Sequence, residues 1–166
     1  MYRRILVPVD GSASSNRGLE HALKLAKDQH ARVRLLNVVD EMSVLPMMYG
    51  YPNDINTVID SMRDAGKQVL EDGSARAERA HVQVDTVVVE AKGRVVSDAI
   101  LGEARKFRAD LIVMGTHGRR GLNRMLLGSD AERVLRSTDV PVLLVKANSA
   151  GTQLPKRRNT RKTTRR

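Results

Sequence analysis

The chain has no cysteine, which excludes disulfide scaffolds, thiolate zinc sites and cysteine nucleophiles. Tryptophan is absent too, and aromatics make up 2% of the 166 residues: Phe107, Tyr2, Tyr49 and Tyr51. A base-stacking platform for single-stranded nucleic acid therefore lacks its material. Uninterrupted apolar runs extend over only a few residues, too short for a membrane-crossing helix. The N-terminal stretch turns acidic at Asp10, too early for a secretory signal. The expectation is a soluble, cytoplasmic protein.

What is present suits one domain of ordinary size. Apolar residues are 41% and charged residues 29% of the chain, with a net charge of +10. The charge is unevenly placed. Residues 151–166 hold seven basic side chains, among them Arg157, Arg158, Arg165 and Arg166, and no acid. Removing those seven from +10 leaves +3 for residues 1–150, an unremarkable value for a domain. The apolar content of the tail is too low to fold. The expected organisation is a domain over 1–147 and a disordered basic tail over 148–166, with a polyanion as a conceivable partner of the tail.

The apolar pattern alternates between two periods. Ile5-Leu6-Val7-Pro8-Val9 is a continuous run closed by Asp10-Gly11-Ser12, which reads as a buried strand and a turn. Leu19, Ala22, Leu23 and Ala26 follow at helical spacing, with Ser12, Ser14 or Ser15 placed to cap that helix. Val33–Val39 is the second strand, and the stretch Asp40–Asn53, with Pro46, Gly50 and Pro52, reads as a loop. A long helix is expected from Asp54 to Arg79, with Gly66 and Gly73 weakening it. Val82–Val89, Leu111–Met114 and Val140–Val145 read as strands, and Val95–Phe107 and Ser129–Arg136 as helices. Five strands alternating with four helices predict an α/β fold, an open five-stranded parallel sheet with helices on both faces. Ligands of such sheets sit beyond the carboxyl ends of the strands, where strand order reverses.

Two strand ends carry special chemistry: Asp10-Gly11-Ser12, and a glycine-rich loop that starts at Gly115-Thr116-His117-Gly118 and ends at Gly128-Ser129-Asp130. Glycines allow close backbone approach, and the loop leads to a helix start, where free amides favour phosphate. Neither GxxxxGK[ST] nor GxGxxG occurs, which argues against a P-loop and against NAD or FAD. His21, His30 and His81 show no metal-ligand spacing. His117 reads as a loop-stabilising residue, and Arg119, Arg120 and Arg124 as either phosphate contacts or a solvated basic loop.

The spacing Gly115-x2-Gly118-x9-Gly128-Ser129, together with Val7-Pro8-Val9-Asp10-Gly11-Ser12, Asn37-Val38-Val39-Asp40 and Pro141-Val142-Leu143-Leu144-Val145, resembles the universal stress proteins. The resemblance is to their ATP-binding branch and covers about residues 2–146. It implies a Rossmann-like fold of the adenine nucleotide alpha hydrolase type, with strand order 3-2-1-4-5. It implies ATP, with Mg²⁺, as the ligand: Asp10 on the ribose hydroxyls, Pro8, Val9 and Val38 around adenine, and Met114 at the pocket floor. Gly115 and Gly118 would lie near ribose and phosphates, and Gly128, Ser129 and Asp130 at the phosphate end. Asp130 departs from the valine common in the family; the expected role is support of the helix N-terminus.

No Walker lysine, kinase-like loop or paired carboxylates stand out. The expectation is a nucleotide-dependent stress-response regulator rather than an enzyme. The alternatives are a slow ATPase, a protein that phosphorylates itself on Ser129 or Thr116, and a nucleic-acid binder acting through its tail. The resemblance further implies a homodimer joined through the last strand, Val140–Val145.

Overall fold

The computed structural model describes residues 1–44, 55–117 and 127–147; the basic tail expected over 148–166 lies outside them. The first apolar run forms β1 (Arg4–Pro8), in which Ile5, Leu6 and Val7 are fully buried. A strand without polar alternation must be covered on both faces, and it is. Ile5 and Val7 join Leu19 and Leu23 of α1 (Ala13–Gln29) and Leu70 and Ala77 of α2 (Ile55–Arg79) in one core. Leu6 points the other way, into a second core with Ile100 and Phe107 of α3 (Val96–Phe107) and Val134 of α4 (Ser129–Ser137).

The remaining strands are β2 (Arg32–Val39), β3 (Val84–Glu90), β4 (Leu111–Gly115) and β5 (Val142–Val145). All pairings are parallel, in the order β3-β2-β1-β4-β5. The expected α/β architecture and strand order are both present. Successive β1, β2 and β3 build outward on one side of β1, and the chain then crosses to place β4 on the other, pairing Ile5 with Leu111 and Leu6 with Ile112. Strand order therefore reverses between β1 and β4.

Local differences from the sequence pattern have local causes. The strand expected from Val82 begins at Val84, because His81 adopts a left-handed φ of 58° and Val82 N–H is spent on Ala77 O. The last strand begins at Val142 rather than Val140: Val140 N–H turns to the Thr138 hydroxyl, and Pro141 carries no N–H. The stretch read as a loop from Asp40 opens with a single 3-10 turn, Glu41–Ser43.

The glycines of α2 were expected to weaken it, and their position gives them another function. A Cβ on Gly73 would lie 2.6 Å from Leu35 Cδ1, and one on Gly66 2.3 Å from Asn37 Oδ1. Both side chains belong to buried residues of β2. The two glycines let α2 lie close on the sheet, so intrinsic helix propensity gives way to packing.

Candidate functional site

The turn after β1 is built by its own polar residues. Gly11 takes a φ of 81°, which glycine adopts without strain. Ser12 N–H donates to Asp10 Oδ1 at 3.0 Å, closing an Asx-turn, and Asp10 N–H donates to Ser15 Oγ at 3.1 Å. Of the three serines placed to cap α1, Ser12 does so, accepting from Ser15 N–H at 3.2 Å. On the neighbouring strand, Asn37 is buried and its Nδ2 donates to Val9 O at 2.7 Å. That bond holds the tip of β1 against the end of β2.

The end of β4 is clamped from three sides. Thr116 N–H donates to Val145 O at 2.9 Å, and Thr116 O accepts from Gly128 N–H at 2.8 Å. His117 O accepts from the hydroxyl of Ser14. Gly115 and Gly128 are there for close approach: a Cβ on Gly115 would lie 2.8 Å from the backbone of Ser14 and Ser15, and one on Gly128 3.0 Å from Thr116 O. α4 starts immediately after. Its N-cap is Gly128, with no side-chain cap bond, so Ser129 is the exposed first helical residue and not the cap. Asp130 and Glu132 fall in its first turn, where carboxylates complement the helix dipole.

These strand ends surround a cavity of about 350 Å³, within the ~300–1,000 Å³ range of small-molecule sites. Pro8, Val9 and Asp10 line it from β1, Val38 from β2, and Met114 and Gly115 from β4. Gly128, Ser129 and Asp130 line it from the start of α4. Nine of the ten residues singled out in the sequence thus share one cavity; the tenth, Gly118, lies outside the described residues. The cavity lies at the switch point of the sheet, above the junction of β1 and β4.

Other lining residues were not expected to contact a ligand. Met62 of α2 and Val96 and Ile100 of α3 close the apolar side, and Asn37, Thr116 and His117 add polar groups. The apolar three carry the periodicity of any core residue, so no sequence signal separates them from the rest of their helices. Among the described residues no group of three or more His, Cys, Asp or Glu could hold a metal ion. No helix among them is long and apolar enough to cross a membrane.

The model of the universal stress protein family matches residues 1–146. The chain belongs to that family. A universal stress protein of Methanocaldococcus jannaschii is 38% identical over 148 residues, covering 88% of this chain and 83% of the relative. Among solved structures, a universal stress family protein from Burkholderia pseudomallei is 37% identical, with a TM-score of 0.70 over 87% of this chain and 96% of its own. An Arabidopsis thaliana family member with AMP bound is 20% identical, with a TM-score of 0.64 over 92% of this chain and 97% of its own. At that identity the likeness is one of fold. One ion network of this universal stress protein, on Arg34, Asp85 and Glu103, lies near the opposite ends of the strands.

Proposed function

We propose that this universal stress protein binds an adenine nucleotide, with ATP as the ligand, in the cavity between β1 and β4, and works as a nucleotide-dependent regulator. The observation that carries the reading is the convergence of Asp10, Val38, Gly115 and Gly128 on one cavity from positions spread over more than a hundred residues. Each brings a suitable group. A carboxylate accepts from a vicinal diol, so Asp10 takes the ribose. Pro8, Val9 and Val38 give adenine an apolar slot beside Met114. Gly115 and Gly118 present backbone to ribose and phosphates. Gly128, Ser129 and Asp130 receive the phosphates at the start of α4: the helix N-terminus favours an anion, and Gly128, whose own N–H is held by Thr116 O, allows close approach. AMP bound in the Arabidopsis family member is in keeping with this reading. With no metal-ligating cluster among the described residues, Mg²⁺ would enter bound to the phosphates, as it commonly does.

Calorimetric titration with ATP and Mg²⁺ tests the reading. Asp10→Asn keeps the Asx-turn, since asparagine forms it equally well, and removes the charged acceptor. Its affinity is expected to fall about tenfold, the size of one charge-assisted hydrogen bond. Absence of any heat from the wild type with any purine nucleotide would remove the proposal.

The same reading includes a homodimer through β5. That strand is at the sheet edge and Leu143 is 39% exposed there, leaving backbone groups and an apolar side chain to pair with a second copy. Light scattering at micromolar concentration should give twice the chain mass of 18.4 kDa. Leu143→Asp, which puts like charges opposite each other across the two-fold axis, should bring the mass back to that of one chain.

A further inference from the structure

The sheet has two edges, and β3 is the longer one, with seven residues against four in β5. Its pairing with β2 runs one for one from Val84 to Glu90, so no bulge interrupts it. It also carries neither lysine nor proline, and bulge, lysine and proline are the usual guards of a free edge. The ends of the ladder show which backbone groups are spent. Gln83 O accepts from Val33 N–H, and Ala91 N–H donates to Val39 O, so odd-numbered positions face β2. The N–H and C=O groups of Val84, Thr86 and Val88 therefore point out along the open edge. Beside them, between β3 and α2, runs a groove of about 470 Å³. Leu70 and Val88 give it an apolar floor, and Glu71 and Glu78 stand on its α2 wall, on one helix face and about 10 Å apart along the axis. Both glutamates are exposed, and among the described residues neither meets a cation. Lys67 of the same wall is taken by Asp64 at 2.8 Å, and Asp85 and Glu90 of β3 already hold Arg34 and Arg63. The open charge of the groove is negative.

We propose that this groove is a docking site for the basic segment 156–166 of the same chain, which adds to the edge of β3 as an antiparallel strand. The proposal is independent of the nucleotide reading. Strand addition supplies main-chain bonds from the open edge, and side chains on alternate positions supply the selectivity. Residues 156–166 hold seven cations and no acid. In an extended segment successive side chains face opposite ways. One alternating set holds Lys156, Arg158, Lys162 and Arg166, and the other Arg157, Arg161 and Arg165. Whichever face turns to α2 thus brings cations to Glu71 and Glu78. Thr160, Thr163 and Thr164 are β-branched and suit a strand. The reach is sufficient. The described residues stop at Ala147 after β5, nine positions before Lys156, and nine extended residues span about 30 Å. From β5 to β3 is four strand spacings, about 19 Å. In a parallel sheet β5 finishes at the same end as Glu90, so the segment enters there and runs antiparallel to β3.

Amide hydrogen exchange on the full chain at low salt reads the edge residue by residue. The N–H groups of Thr86 and Val88 are expected to exchange about tenfold more slowly in the wild type than in the double variant Glu71→Gln, Glu78→Gln, which removes the two charges without changing side-chain shape. Salt at about 1 M, where the Debye length is about 3 Å, should bring the wild type to the rate of that variant. Thr86→Pro removes an outward N–H that no bond of the sheet uses. It should speed exchange at Val88 to a similar degree while the amides of β1 stay protected. If Thr86→Pro does not fold, the glutamine variant, altered only at exposed side chains, decides alone. Equal exchange of Thr86 and Val88 in the wild type and the glutamine variant overturns the proposal. So do amide signals of residues 156–166 that are the same in both proteins, a result that leaves those cations to a polyanion such as duplex DNA. Protection that rises with protein concentration overturns docking within the chain and gives the edge to a second copy.

Discussion

Gly115→Ala is expected to lower stability by about 3 kcal/mol, the upper end for a methyl forced into a packed site. The added Cβ would lie 2.7 Å from Ser14 Oγ and 2.8 Å from both Ser14 C and Ser15 N. The last two are backbone atoms of the first turn of α1, so no rotamer change relieves the overlap. The helix start must move away from β4. Gly18 shows how little room there is: a Cβ there would sit 3.4 Å from the backbone of Met114 and Gly115. Displacing the turn draws the Ser14 hydroxyl off His117 O and disturbs the Ser12–Asp10 bonds, so the cavity wall is lost along with stability. Thermal unfolding should shift down by roughly 6–12 °C for a domain of this size, and nucleotide affinity should fall at least tenfold. An alanine variant with wild-type melting and wild-type affinity would show that α1 and β4 are not in such close contact.

Arg34→Met should cost a comparable amount at the other end of the sheet, without touching the cavity. The Arg34 guanidinium binds Asp85 of β3 through both oxygens, at 2.7 and 2.8 Å, and Glu103 of α3 at 2.8 Å. It also lies over the Phe107 ring, 4.5 Å from the centroid. These partners, Asp85 foremost, hold the guanidinium well above its ordinary pKa. Glu103 is only 5% exposed, and its other cation, Lys106, stands 3.8 Å away on an exposed side chain. Removing Arg34 leaves a buried carboxylate almost alone, a change that costs about 3–5 kcal/mol in buried pairs. Because a quarter of the arginine side chain is exposed, the lower figure, about 3 kcal/mol, is expected here. Arg34→Met combined with Glu103→Gln should recover half or more, since the uncompensated charge is gone. Arg34→Lys should not rescue, because an ammonium cannot bridge two carboxylates with planar, paired bonds. Denaturant unfolding of the wild type, Arg34→Met, Glu103→Gln and the double variant closes the cycle, and additive effects of the Arg34 and Glu103 changes would refute the coupling.

The site was legible to different depths for different residues. Asp10 and the glycines stood out because unusual backbone demands leave a sequence mark: a positive φ at Gly11, and close approaches at Gly115 and Gly128 that no side chain fits. Val38 and Met114 were reachable only through the family resemblance, since on their own they read as strand core. Met62, Val96 and Ile100 gave no sign at all; their apolar spacing serves the helix whether or not a cavity lies beneath it. Gly66 and Gly73 were legible as glycines and misread as flaws, because the close approach they permit involves β2, some thirty or more positions away. His117 was read as a loop-stabilising residue. Its backbone and Nδ1 do play that part, but its Nε2, without a hydrogen-bond partner among the described residues, is set apart only by burial.

Local chemistry, written in order along the chain, determined the alternation of strands and helices, the turn after β1 and the glycine spacing after β4. These depend on period, cap and φ, which neighbouring residues control. The tertiary structure alone decided that α2 and α3 wall the cavity and that Arg34 ties three elements together. It also decided that one imidazole nitrogen ends up buried and unmatched. Those outcomes depend on which surfaces meet when helices settle on a twisted sheet, and on the water excluded where they do. Such quantities belong to pairs of distant residues, and no single stretch of the chain carries them.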